Sequence, residues 1–180
     1  MTMIKAAINS ILRLGKRKAA QAYREVSARP SCRVVVTESC LNGMRSCMAP
    51  EIELGHEGIA YLLGLTNGDS TVIVAAIRPE SHTTVGSFNV STLAMSRVVR
   101  VANNVGLQVV GQVHTHPGSA YHSGGDDDGA RIAYDGYISI VVPGYGRELP
   151  SLRGVAIYSY RDQKFSRLGA SALKLTDGVL

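Results

Sequence analysis

Between Val113 and Asp128 the chain reads VHTHPGSAYHSGGDDD, which gathers three of its five histidines and three consecutive aspartates with almost no bulky apolar residue beside them. A surface loop could carry such a mixture, and so could a metal site. In a strand, side chains two apart point to the same side, so His114 and His116 at a strand end can aim both imidazoles at one point. Pro117 cannot donate a ladder hydrogen bond, so the chain leaves the sheet there and can fold back. Ser123 and Asp126 follow closely enough in sequence to return a carboxylate to the same point. Two imidazoles and one carboxylate leave a fourth tetrahedral position open, the arrangement of a catalytic rather than a structural zinc. His122 reads as a loop residue, His82 as solvent-facing, and Asp128 as a charge favoured at a helix N-terminus.

Elements must deliver these groups. LQVVGQVHTH reads as the strand that carries both histidines. EGIAYLLGL and STVIVAAI are apolar runs separated by TNGD, whose Asn67 and Gly68 favour a tight hairpin turn, so the two should pair antiparallel. CRVVVTE is β-branched and reads as a strand, and SCLNGMRSCMA has helical character expected to end at Pro50. Residues 79 to 90 look like a polar loop. STLAMSRVVRVANNVG opens on a Ser/Thr cap and closes on Gly106, with Leu93, Val98, Val101 and Val105 as its apolar stripe, which predicts a second helix. DDDGARIAYDG begins with acids and predicts a short helix after the histidine loop. YISIVV, RGVAIYSY and KFSRL supply three more strands around a Pro/Gly-rich connection at 143 to 151. Strands and helices alternate without a phosphate-binding glycine loop, which gives an α/β class with a mixed, largely antiparallel sheet flanked by helices.

With 180 residues, 45% of them hydrophobic, the chain suits one core with additions. No run approaches the roughly 20 apolar residues that cross a bilayer, so no membrane partner is expected. The net charge of +5 is unevenly placed: residues 1 to 30 hold Lys5, Arg13, Lys16, Arg17, Lys18, Arg24 and Arg29 against Glu25, leaving −1 for the rest. That excess belongs to an arm rather than to the folded surface, so nucleic acid is not an expected partner. The arm places Ile4, Ile8, Ile11, Ala19, Ala22 and Val26 at helical spacing, weakened at Gly15 and stopped before Pro30. Cys32, Cys40 and Cys47 are odd in number and fit neither a metal knuckle nor a stapled scaffold, which favours a reducing, cytoplasmic setting. The expected organisation is a basic helical arm at 1–30, a catalytic domain at 31–168 and a C-terminal tail at 169–180.

HTHP followed by SGGD resembles the HxHP…SxxD signature of the JAMM, or MPN-plus, zinc metalloproteases, which remove ubiquitin and related proteins from conjugates. EGIAYLLG, residues 57 to 64, is similar to that family's ExxGxLxG pattern, with Leu62 and Gly64 in place and Ala60 where glycine is usual. Gly111, three residues before His114, also matches. Glu51, Glu53 and His56 lie nearby, but only Glu57 has the spacing to Leu62 and Gly64. The interval from His116 to Ser123 is one residue shorter than usual, so counting without a gap puts Gly124 in the serine place and Asp127 in the ligand place. The gapped alignment keeps the SxxD unit intact and is preferred, with Asp127 as the alternative ligand.

The resemblance spans about residues 32 to 168. It implies an MPN/JAMM-like fold with cytidine-deaminase-like layering. It further implies that His114, His116 and Asp126 hold Zn²⁺, that Glu57 takes a proton from the attacking water and relays it to the leaving amine, and that Ser123 donates to the developing oxyanion. The implied activity is a deubiquitinase-like isopeptidase or peptidase that cuts after the extended C-terminal tail of a ubiquitin-like protein. PGYGRELPSL, residues 143 to 152, is a candidate for gripping that tail. Small chains of this kind resemble bacterial members that accompany ubiquitin-like, E1-like and E2-like proteins, some in antiphage systems. A peptidase that processes a sulfur-carrier protein and a non-catalytic MPN scaffold remain as alternatives.

Overall fold

The computed structural model describes residues 33–68, 70–123, 126, 132 and 134–177. The chain divides into two units, Met1–Ser31 and Cys32–Leu180, and every described residue falls in the second. The basic arm, the helix expected after the histidine loop, and Cys32, Asp127 and Asp128 lie outside the described residues.

The seven runs expected as strands, joined by one that was not, form an eight-stranded mixed sheet. Its strands are β1 (Arg33–Thr37), β2 (Ile59–Asn67), β3 (Ser70–Ile77), β6 (Gln108–Thr115), β7 (Ile138–Val142), β8 (Ala156–Arg161), β9 (Lys164–Arg167) and β10 (Leu173–Thr176). They lie in the order β10-β1-β3-β2-β6-β7-β8-β9. β10, from the segment expected as a tail, pairs parallel with β1. β2 pairs antiparallel with β3 across the Asn67–Gly68 turn, where Gly68 takes φ 54, and antiparallel with β6 on its other side. β2 is buried on both faces, which is why it reads as one unbroken apolar run.

α1 (Glu38–Leu54) covers one face through Cys40, Leu41, Met44 and Met48, packed on Val34, Val36, Leu62, Val113 and Ile140. Thr37 caps it, its hydroxyl accepting from the Cys40 amide at 3.1 Å. The helix does not stop at Pro50, as its sequence predicted. A proline inside a helix costs about 3 kcal/mol, but here the next turn is held by Ile52 in the core, by the Glu51–Arg78 ion pair and by the left-handed cap at Gly55.

α2 (Thr92–Asn104) covers the other face, capped by Ser91 and ended before Gly106. Its buried stripe is Ala94, Met95, Val98 and Ala102, whereas Leu93, Val101 and Val105 are exposed, so only Val98 of the expected stripe faces the sheet. Small alanines let the helix approach closely, a fit that a count of bulky apolar residues overlooks. Residues 79–90, expected as a polar loop, form a separate hairpin of β4 (Ser81–Thr84) and β5 (Ser87–Val90). Its four-residue strands are too short for a clear alternation, and only Val90 and Phe88 reach the core.

An irregularity in β6 sets the site. Opposite β2, Leu62 pairs with Gly111 and Leu63 with Val109, so Val110 is an inserted residue. Val110 and Val113 consequently share the α1 face although they are an odd number of residues apart. His114, opposite Ile59, is thereby turned to the α2 face. Gly111 is required at this bulge, because a Cβ there would stand 2.5 Å from the Ile138 carbonyl oxygen.

Gly111→Ala is therefore expected to lower the melting temperature by several degrees, since overpacking costs about 1–3 kcal/mol and each kcal/mol shifts Tm by about 2–4 °C at this size. Gly43→Ala, inside α1 with open space around it, should instead raise Tm. Calorimetry on the two variants checks both signs.

Candidate metal centre

β2 and β6 run together past their regular ends. The Thr115 amide donates to the Gly58 carbonyl at 3.0 Å, and the Gly58 amide donates to Thr115 Oγ1 at 2.8 Å. This double bond of neighbours places Glu57 beside His116. Gly58 is itself packed closely, for a Cβ there would meet Met48 Sδ at 2.7 Å. On the other side, the His116 amide donates to the Val142 carbonyl at 2.9 Å, which continues the β6–β7 pairing through the second histidine. The two imidazoles thus project from one face, their ring centroids 5.2 Å apart.

Asp126 returns to meet them. Its Oδ1 lies 3.4 Å from His114 Nε2 and its Oδ2 3.3 Å from His116 Nε2. Ser123 holds the carboxylate, with its amide and Oγ donating to Oδ2 at 2.6 and 2.9 Å. The Asp126 amide donates back to the Ser123 carbonyl and Oγ, closing a tight local turn. All three residues are buried, and each offers a ligand atom within 4.8 Å of the others. Glu57 is buried alongside, with Oε1 3.5 Å from His116 Nδ1, too long for a good hydrogen bond.

The residues fit a divalent ion. Tetrahedral zinc with N and O ligands at about 2.0–2.2 Å sets neighbouring ligand atoms roughly 3.4 Å apart, close to the two Nε2–carboxylate distances. His114 is fully buried, yet neither of its ring nitrogens has a hydrogen-bond partner among the described residues. A buried polar atom left so is costly unless something else satisfies it. A metal ion at this point would do that.

The ionisable groups are driven apart. Burial pushes the Glu57 carboxyl above its usual range, with His116 pulling it back and Asp126 adding to the rise. For Asp126, burial acts upward, but the adjacent His114 and His116 imidazoles and the Ser123 amide outweigh it and hold the carboxyl well below the usual range. His116 is raised, chiefly by its hydrogen bond to Asp126, against the opposing effect of burial.

Aromatic groups close the surroundings. Phe88 of the β4–β5 hairpin packs on His114 with centroids 5.5 Å apart, and Tyr121 lies 4.8 Å from His116. His122, expected as a plain loop residue, packs against Phe165 and Tyr158 of the β8–β9 hairpin, and its amide donates to the Tyr158 hydroxyl at 3.2 Å. Alternation of Tyr158 and Tyr160 along one strand was the signal for such an aromatic face. Of the other residues near Glu57, Glu51 is buried in its pair with Arg78, and His56 Nδ1 lies 3.3 Å from Thr83 Oγ1. Glu53 and His82 are exposed. Cys40 and Cys47 are free thiols, and burial pushes Cys40 up to about 12. No helix among the described residues is long and apolar enough to cross a membrane.

Metal analysis should find one equivalent of ion in the wild type and in Asp127→Ala, and none in Asp126→Ala. Retention by Asp126→Ala with loss in Asp127→Ala would transfer the ligand role. Affinity should also fall with pH. A protonated imidazole cannot ligate, and the raised His116 keeps its proton to a pH above the ordinary imidazole value near 6.5. Binding measured by calorimetry across pH 5 to 8 should be strongest at the alkaline end and weaken as pH drops through the His116 transition; a flat profile would contradict this.

Residues 50–153, which include Glu57, His114, His116 and Asp126, match the prokaryotic homologues of the JAB domain. The chain is 30% identical over 129 residues to "Probable metalloprotease y4jG" of Sinorhizobium fredii, an alignment that covers 69% of this chain and 80% of that protein. Its fold is similar to the solution structure of protein DSY2949 from Desulfitobacterium hafniense, with a TM-score of 0.60, 13% identity, and coverage of 80% of this chain and 93% of that one. That likeness bears on the fold alone, and it agrees with the MPN-like α/β arrangement. The buried His114, His116 and Asp126 set and the match in sequence lead to one conclusion: this chain belongs to the prokaryotic JAB family and is a metalloprotease.

Proposed function

We propose that this metalloprotease is a zinc-dependent peptidase or isopeptidase that cuts after the extended C-terminal tail of a ubiquitin-like protein, with Glu57 as its proton carrier. The observation that carries the reading is the position of Glu57, a buried carboxyl with a raised pKa set against His116 of the candidate metal set. A zinc ion held by His114, His116 and Asp126 would supply Lewis acidity, polarising a carbonyl and lowering the pKa of water toward about 7. Glu57 accepts a proton from the attacking water as its oxygen bonds to the scissile carbonyl carbon. It then delivers that proton to the amine nitrogen as the C–N bond breaks, and ends as it began. Burial suits both halves of this task, since it brings the carboxyl closer to the operating pH.

Ser123 is the proposed oxyanion donor. At rest its Oγ donates to Asp126 Oδ2, and its amide bond to the same oxygen keeps the carboxylate placed when the hydroxyl turns to substrate. Two features support an extended polypeptide tail as substrate. The motifs around His114 and Glu57 resemble those of enzymes that act on such tails. The two-stranded β4–β5 sheet beside Glu57 also has no third strand among the described residues, which suits main-chain pairing by an added strand. The segment 143–152 remains a candidate contact for the tail through exposed Arg147 and Glu148. Its Leu149 is buried and Arg45 Nη1 donates to the Arg147 and Leu149 carbonyls, so the segment is also a wall of the core.

Cleavage of a panel of ubiquitin-like and sulfur-carrier fusions, with and without a chelator, tests the substrate class. On the fusion that is cut, Glu57→Gln should retain metal while kcat falls by about 10²–10⁴. An active Glu57→Gln enzyme would remove Glu57 from this role, and cleavage of sulfur-carrier fusions alone would redirect the substrate.

A further inference from the structure

The turn after β7 runs through three successive left-handed residues, Gly144, Tyr145 and Gly146, with φ of 60, 58 and 78. Glycine adopts this region freely, whereas a tyrosine there is strained. Nothing about the turn itself calls for a large side chain in its middle, so the contacts of Tyr145 are informative. Its amide donates to the His116 carbonyl at 2.8 Å, and its hydroxyl donates to the Val85 carbonyl at 2.9 Å. Val85 is at the tip of the β4–β5 hairpin, 64% exposed. The preceding residue, Thr84, offers its carbonyl to the Glu57 amide at 2.8 Å.

We infer that Tyr145 is a positioning residue that ties the β4–β5 hairpin, and through it Glu57, to the strand end carrying His116. This rests on the reading of Glu57 as proton carrier. The links close a circuit: Glu57 to Thr84, along the chain to Val85, across to Tyr145, and from its amide to His116, whose Nδ1 faces Glu57 Oε1. Glu57 precedes the regular part of β2, so its own amide is held by the hairpin rather than by a sheet ladder. A two-stranded hairpin of four-residue strands holds its shape weakly without outside support. Val90 anchors its far end in the core and Phe88, one pair from the turn, packs on His114, while Tyr145 holds the tip itself. The guanidinium of Arg147, 5.3 Å from the centre of the Tyr145 ring, helps to fix the ring's direction. A tether of this kind acts on the angle at which Glu57 meets substrate and leaves the metal ligands alone, because these are placed by β6, β7 and the Ser123 turn.

Tyr145→Phe removes the hydroxyl and keeps the ring and the backbone. Hydrogen exchange resolved to single amides should show the Glu57 amide exchanging roughly fivefold faster, as the loss of one net hydrogen bond implies. Metal content should stay at the wild-type value. On the fusion that the wild type cleaves, kcat should fall roughly tenfold with KM changed less than about twofold, the pattern of lost orientation rather than lost binding. Tyr145→Gly relieves the backbone as well as removing the ring, so its turnover should be no higher than that of Tyr145→Phe, and its Tm no lower. Wild-type exchange at Glu57 in Tyr145→Phe overturns the tether. Faster exchange with wild-type kcat overturns its role in positioning, and loss of metal overturns its separation from the ligands. Exchange and metal content need no substrate, so they judge the tether even if no fusion in the panel is cut.

Discussion

Whether His114 and His116 face a site or a hydrophobic core is decided by one inserted residue in β6. Strand alternation is strict, and without Val110 as an extra residue both imidazoles would turn toward α1 and its methionines. The bulge in turn requires Gly111, because the neighbouring β7 backbone leaves no room for a side chain. Gly64 has the same logic in β2, where a Cβ would stand 1.9 Å from the Val72 carbonyl oxygen. The glycines around the site thus serve the sheet that aims the ligands, and their effect on chemistry is indirect.

Once aimed, the side chains share a region where water is scarce and every charge feels the next. Two carboxyls there would both be forced up by burial, but only Asp126 lies against two imidazoles and accepts from a backbone amide. It is held as an anion suited to a cation. Glu57 receives less help, so burial dominates and its carboxyl takes a proton more readily. One type of side chain in two environments yields a ligand and a proton carrier.

Much of this was legible because it is local. Two histidines at a spacing of two, a proline that ends the strand and a serine–aspartate turn are contained within thirteen residues, and the structure brings His114, His116 and Asp126 together as that spacing suggested. Glu57 was visible only through a resemblance to known motifs. Its nearness to His116 depends on the register of β2 against β6, strands separated by some forty residues of chain. Contacts of that range leave little trace in a single sequence. The same reason hid the parallel pairing of β10 with β1 and the reach of Tyr145 to Val85. The continuation of α1 through Pro50 was hidden differently, since a local rule was outweighed by Ile52, Glu51 and Gly55. The buried face of α2 departs from the expected stripe because Ala94, Met95 and Ala102 join Val98 in the contact.

The central claim is that His114, His116 and Asp126 grip one divalent ion and leave part of its coordination open. X-ray absorption at the zinc edge on the zinc-loaded protein tests it most directly. The account predicts two imidazole nitrogens and oxygen neighbours, all at about 2.0–2.2 Å, with no sulfur. A first shell containing sulfur at about 2.3 Å, pointing to the cysteines, or a spectrum lacking imidazole scattering, would contradict it.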